Sequence, residues 1–170
     1  MRHAQPRARR ADVGGVDGHD AEDARLQEPD QELDAIATVV VDAALEVHRL
    51  LGPGLPESVY ERALAVELGL RGVCFVQQVP IGVTYKGVTI GEARLDLLVA
   101  DRLVVELKAC AALLPAHLAQ VLSYLRTSGH PLALLINFNA LHLRQGIKRV
   151  FRTQQLPLAF FVRSLVGGGP

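Results

Sequence analysis

Between residues 31 and 51 the apolar positions Ile36, Val39, Val40, Ala43, Ala44, Val47, Leu50 and Leu51 recur three and four apart, which is the period of one face of an α-helix. Gly52-Pro53-Gly54 ends that helix, because glycine supplies the cap and proline cannot continue the ladder. A second helix is predicted over 56–70, with Pro56 in the first turn where its missing N–H does no harm. Beyond it the period shortens. Residues 73–85 and 88–99 read as strands joined by a Lys86-Gly87 turn, and 103–109 as a third. Helical spacing returns over 115–128, where Leu118, Val121, Leu122 and Leu125 share a face. Gly129 closes this helix, and 132–137 (LALLIN) is a short apolar strand.

That order is two helices, a three-stranded antiparallel meander, a helix and a strand. It predicts an α/β domain in which the last helix returns its strand parallel to an earlier one. The basic residues Arg144, Lys148, Arg149 and Arg152 follow that last strand, concentrated in LRQGIKRVFR. They read either as a solvated edge or, preferred here, as a phosphate-contacting patch.

The third strand carries the chemistry. In VVELKA (104–109) Glu106 and Lys108 fall on one face while Val105 and Leu107 take the other. The preceding strand holds one acid, Asp96, in ARLDLLVA. A three-residue loop centred on Asp101 sets position 96 opposite 106 and Arg94 opposite 108. Two carboxylates brought together among leucines and valines need a cation between them. Lys108 can be that cation, in a structural salt bridge. Alternatively Asp96 and Glu106 hold Mg²⁺ or Mn²⁺, with Lys108 stabilising developing negative charge on a phosphoryl group.

Composition narrows the classes. Hydrophobic residues make up 49% of the 170, without the run of eighteen or more apolar residues that a membrane span needs. Cys74 and Cys110 are too few for a disulfide framework, which suggests a reduced, cytoplasmic protein. The six histidines form no HExxH-type cluster, which disfavours a zinc hydrolase. Residues 1–33 lack aromatics and apolar periodicity and are expected to be a disordered tail, without the apolar core of a secretory signal. The five arginines and nine acids of 1–34 leave thirteen basic and nine acidic residues, so a neutral chain carries a domain of net charge +4. Nucleic acid is thereby permitted as a partner.

GLPESVY (54–60), with EVHRLLGPGLPESVYERAL around it, then ARLDLLVADRLVVELKA, AHLAQVLSYLR and LLINFNALHLRQGIKRV, resembles the GxxExxY family over roughly 34–152. That family is placed in the PD-(D/E)XK nuclease-like superfamily. The resemblance implies a restriction-endonuclease-like αβββαβ core over 34–155, a mixed central sheet flanked by helices, with 156–170 as an extension. It makes Asp96 the acid of the PD half-motif and Glu106 with Lys108 the ExK half. Leu95 stands where the motif's proline would be, and proline is no metal ligand. Glu57 looks like the additional carboxylate at the metal. Gln120 and Tyr124 look like a Q-x-x-x-Y feature, the glutamine supporting catalysis and the tyrosine meeting nucleic acid.

The function this implies is Mg²⁺- or Mn²⁺-dependent hydrolysis of nucleic acid, DNA ahead of RNA, by a protein that can be a homodimer or bind another protein. The alternative is an inactive nuclease fold serving as an interaction module. Tyr60 is expected to pack with a hydrogen-bonded tip, and His48 and His117 to be structural hydrogen-bonders.

Overall fold

The computed structural model describes residues 30–152 and 162–164. The parts of the expected tail and extension that lie in 1–29, 153–161 and 165–170 fall outside these. Helix α1 (Gln31–Leu51) starts where the Asp30 side chain accepts the Leu33 N–H at 2.9 Å. The folded part thus reaches into the stretch 1–33, because Leu33 is fully buried and Arg102 pairs with both Asp30 and Glu32. Helix α2 (Glu57–Leu70) follows a five-residue link. Then come β1 (Phe75–Tyr85), β2 (Val88–Val99), β3 (Leu103–Lys108), α3 (Pro115–Ser128) and β4 (Leu132–Asn137).

Beyond β4 the structure adds a 3₁₀ turn (Leu143–Gly146), β5 (Ile147–Phe151) and β6 (Val162–Ser164). Residues 147–151 therefore form a strand within the segment read as a basic patch. Lys148 and Arg149 hide it by interrupting the apolar pattern, but Ile147 and Val150 are buried and the chain pairs with β4.

One mixed sheet runs in the order β1 to β6, with β3 and β4 parallel and every other neighbouring pair antiparallel. The parallel pair follows from α3, which crosses over the sheet between them. This is the expected mixed α/β architecture, a sheet flanked by helices. Helices α1 and α2 cover one face, packing Val40, Val47 and Leu64 onto Leu97, Val105, Leu134 and Ile136. Helix α3 covers the other, packing Val121, Leu122 and Leu125 onto Leu98, Val104, Ala133 and Leu135. Strands β3 and β4 are covered on both faces, which is why LVVEL and LALLIN are buried throughout. No helix among the described residues is long and apolar enough to cross a membrane.

The β2–β3 turn follows the predicted register, pairing Val99 with Leu103, Leu98 with Val104 and Leu97 with Val105. Ala100 and Asp101 at its tip have φ of 49° and 56°, matching the twist of an antiparallel ribbon. The ladder then stops one step short of the expected 96/106 pair.

The β1–β2 ribbon turns over at the same level. Phe75, Leu97 and Val99 pack towards α1 and α2, whereas Val79, Ile81 and Leu95 pack towards α3 although they share the same alternation. The pairing runs from Gln77/Leu97 to Val79/Leu95 and skips Gln78 and Asp96, and Gln78 has a φ of 53°.

Tyr60 ties the α1–α2 link to the sheet. Its ring stacks on Phe138 just past β4, with centroids 4.6 Å apart, and is fully buried. Its hydroxyl donates to Gly52 O at 2.6 Å and accepts the Leu55 N–H at 3.1 Å. Gly54, between these contacts, has a φ of 104°, which side chains rarely tolerate. The link that launches Glu57 is thus held at its beginning and its middle.

Replacing Tyr60 by Phe keeps the ring stack and strands the Gly52 carbonyl and the Leu55 N–H. The expected loss is about 1–2 kcal/mol of unfolding free energy, read as a lower urea midpoint at unchanged slope.

Candidate functional site

The early end of the β2–β3 ladder leaves a fork between the two strands. Asp96 closes it with its side chain: Oδ2 accepts the Leu107 N–H at 2.8 Å, in place of a ladder carbonyl. Glu106, one residue earlier on β3, is 2% exposed, lies in the cross-sheet row with Leu135 and turns to the α3 face. Lys108, on the same face, reaches back and donates from Nζ to Glu106 Oε1 at 2.7 Å and to the Leu107 carbonyl at 2.9 Å. Glu106 Oε2 is buried without a hydrogen-bond partner. Both partners of this pair are largely buried, at 14% and 2% side-chain exposure, so it is no solvated surface bridge.

The electrostatics follow from that burial. Desolvation raises the Glu106 carboxyl most, the nearby Asp96 charge raises it further, and Lys108 only partly compensates, leaving it at about 7. Burial also raises Asp96; the Leu107 N–H and Lys108 oppose the rise, and the charges of Glu57 and Glu61 add to it. For Lys108 burial works against the charge, but the hydrogen bond to Glu106 and the surrounding acids outweigh it and hold the ammonium above its ordinary range.

Glu57, exposed in the first turn of α2, thus acts on Asp96, Glu106 and Lys108 through its field. The structure therefore brings Asp96, Glu106 and Lys108 together, with Glu57 near enough for its charge to act on all three. Arg94, expected beside Lys108, instead pairs with Glu92 at 3.2 Å on the exposed ribbon, because the ladder has already parted below it.

The donor set suits a hard divalent cation: carboxylate oxygens, one of them buried and partnerless, and a fixed ammonium beside them. Among the described residues no three His, Cys, Asp or Glu side chains are close enough to enclose an ion. A site with two close carboxylates leaves positions for waters and substrate oxygens, as Mg²⁺ prefers.

The remaining expected residues sit around this cluster. Gln120 donates to the Tyr124 hydroxyl at 2.7 Å, both on α3, the helix covering the face that Glu106 meets. Lys148 on β5 stands opposite Leu135 and so continues the row that begins at Glu106. Arg149 points to the other face, ion-pairs with Asp34 of α1 and lies 5.5 Å from the centre of the Phe151 ring. Arg144 lines a cavity of about 310 Å³ with His48, Arg49, Leu141 and His142, none of them members of the acid cluster. Lys148 and Arg149, expected in a single patch, are therefore divided because a strand alternates its faces, and Arg144 lies apart in the 3₁₀ turn.

His48 and His117 have structural partners. His48 Nε2 hydrogen-bonds the Ala140 carbonyl at 2.9 Å, and His117 Nδ1 accepts the Leu114 N–H at 3.1 Å at the start of α3. Two contributors were not singled out by pattern. Asn137, buried at the end of β4 beside Lys108, accepts the Cys110 N–H at 3.1 Å and donates to the Cys110 carbonyl at 2.8 Å, stitching β3 to β4. Its signal is a lone amide closing an apolar strand. Glu61, one turn after Glu57, accepts from Gln77 and Gln78.

A family model described as the PD-(D/E)XK nuclease superfamily matches residues 34–150. No curated protein and no solved structure matches the chain.

Because the folded state holds Glu106 protonated up to about pH 7, against 4.5 ordinarily, it binds more protons than the unfolded chain in between. The stability contributed by neutral Glu106 is full below about pH 4.5 and is lost as pH rises through 7; the raised Asp96 adds in the same direction. In metal-free buffer Glu106→Gln should therefore flatten the fall in melting temperature between pH 5 and 7.5. An unchanged slope would exclude Glu106 as its source.

Proposed function

The chain belongs to the PD-(D/E)XK nuclease superfamily, and from that membership we propose that it hydrolyses phosphodiester bonds of nucleic acid, DNA in preference to RNA. The observation that carries the reading is the buried Glu106 oxygen without a partner, set beside Asp96 and Lys108. A buried carboxylate in that state is costly, and a divalent ion relieves the cost while placing positive charge where a phosphate must bind.

Asp96 and Glu106 would hold the ion, with Glu57 as the third acid from the start of α2. Bound there, Mg²⁺ or Mn²⁺ supplies Lewis-acid polarisation of a phosphoryl oxygen and a water acidified enough to attack. The chain's own contributions are distinct. Asp96 keeps β2 and β3 forked through Leu107, so that its carboxylate and that of Glu106 approach from two strands. Lys108 stays charged and is fixed by two acceptors, which orients its ammonium before substrate arrives and lets it stabilise negative charge in the transition state. Gln120, bound to Tyr124, would support the site from α3, the helix over the Glu106 face. Tyr124, Arg144, Lys148 and Arg149 are proposed as nucleic-acid contacts. Lys148 has the best support, from its row with Glu106, while Arg149 is engaged by Asp34.

We assign the chain further to the GxxExxY group, on Gly54, Glu57 and Tyr60. The motif has a physical reading here: the glycine permits the link, the tyrosine pins it, and the glutamate opens α2 where its charge acts on Glu106. A domain that runs from the start of α1 to β6, acting in the cytoplasm, completes the proposal.

Labelled DNA and RNA, single- and double-stranded, should be cut with Mg²⁺ or Mn²⁺ and left intact in EDTA. Asp96→Ala should abolish cutting, and Lys108→Ala should slow it on the order of 10²-fold. Saturating Mn²⁺ should raise the melting temperature of the unmodified chain, by the equivalent of about 2.7 kcal/mol at a hundred times Kd. Equal cutting by all three proteins would refute the assignment of the site.

A further inference from the structure

Gln77 and Gln78 are neighbours on β1, so their side chains should leave opposite faces of the sheet. Both nevertheless donate to one atom, Glu61 Oε1, at 3.2 and 2.9 Å. They can do so because the ribbon turns over between them and Val79, with Gln78 at a φ of 53°. That step is also where the β1–β2 ladder skips Gln78 and Asp96, although the pairs on either side leave these two residues facing each other. Asp96 therefore lacks a regular ladder partner on the β1 side, while on the β3 side its own carboxylate replaces one. Glu61 stands close enough for its charge to act on Asp96.

We propose that Glu61 is a positioning residue for Asp96: by gripping the amides of Gln77 and Gln78 it holds the β1–β2 ribbon in the turned-over form that aims the Asp96 carboxylate into the fork. Glu61 lies one helical turn after Glu57, so the same grip fixes α2, and Glu57 with it, against the ribbon. Without the grip, Gln78 and Asp96 can take the regular antiparallel pairing that the flanking register offers, and Asp96 leaves Leu107. The contribution is through geometry. It requires an acceptor oxygen at position 61 and a positive φ at position 78, and neither requirement is for charge. The proposal rests on the nuclease reading only for its consequence at the metal.

Four variants separate these requirements. Glu61→Ala removes the acceptor, and Glu61→Gln keeps an oxygen without the charge. Gln78→Val opposes a positive φ, and Gln78→Gly permits it without any side chain. The metal-free readout is exchange of the Leu107 amide proton relative to its strand neighbours. The metal readout is the Mn²⁺ concentration giving half-maximal thermal stabilisation, with DNA cleavage measured alongside. Glu61→Ala and Gln78→Val should speed Leu107 exchange and raise the Mn²⁺ requirement by about tenfold or more, the usual scale for residues that orient ligands. Glu61→Gln should keep Leu107 exchange near that of the unmodified chain, and Gln78→Gly, which keeps the positive φ and the Gln77 contact, should exchange more slowly than Gln78→Val.

Equal behaviour of all four variants and the unmodified chain at Leu107 would overturn the proposal. So would a Glu61→Gln protein as impaired as Glu61→Ala, since charge would then be the requirement. If Leu107 responds as expected while Mn²⁺ neither stabilises the unmodified chain nor supports cutting, the grip stands and the nuclease reading alone falls.

Discussion

The hydrogen bond from the Leu107 amide to the Asp96 carboxylate is the contact on which the site depends. A β-ladder normally satisfies each interior amide with a facing carbonyl, and a gap in a buried sheet leaves a costly donor. Here the gap is filled by a side chain. That substitution lets β2 part from β3 without stranding Leu107, and it commits Asp96 to a position between the strands. Glu106 and Lys108 still lie beside Asp96 although the ladder ends at Leu97 and Val105. An acceptor side chain is required at 96, since an apolar residue there would leave both the amide and the fork unsupported.

The surroundings of this contact explain its electrostatics. Strand β3 is covered by α1 and α2 on one face and α3 on the other, so anything on it is removed from water unless it lies near an end. Glu106 is removed almost completely, and Lys108, one alternation further on, retains slight exposure. A lysine with two acceptors stays charged under such conditions; a carboxylate with one donor and several acids nearby does not do so easily. That imbalance is what a bound cation would relieve under the proposed function. The same cover lowers the local dielectric and strengthens the charge interactions within it.

Positions far apart in the chain are brought to this end of the sheet by packing. The Tyr60 ring on Phe138 couples the α1–α2 link to the end of β4, and Asn137 couples β4 to the residue after Ala109. Arg149 with Asp34 fixes α1 over β5. These contacts hold the helix layer and the sheet in one relation. Their division of labour explains why the basic residues beyond β4 do not form one patch: Arg149 anchors a helix, and Lys148 faces the row of Glu106.

Local information was enough for much of this. Helical and strand periods mark the element types, the Asp101 tip sets the register of β2 on β3, and an acid, an acid and a lysine on buried strands already indicate a common site, because these features depend on residues near one another in the chain. Strand β5 escaped because Lys148 and Arg149 break its apolar pattern, and burial of Ile147 and Val150 depends on a distant layer. The turn-over at Gln78, the early end of the ladder, the grip of Glu61 and the parting of Arg94 from Lys108 needed the assembled sheet. Periodicity states which side chains alternate; where a ribbon abandons that alternation is settled by the helices packed on it. Hence the identity of the acids was written in a few neighbouring residues, whereas their aim arose only when strands, helices and link had closed around them.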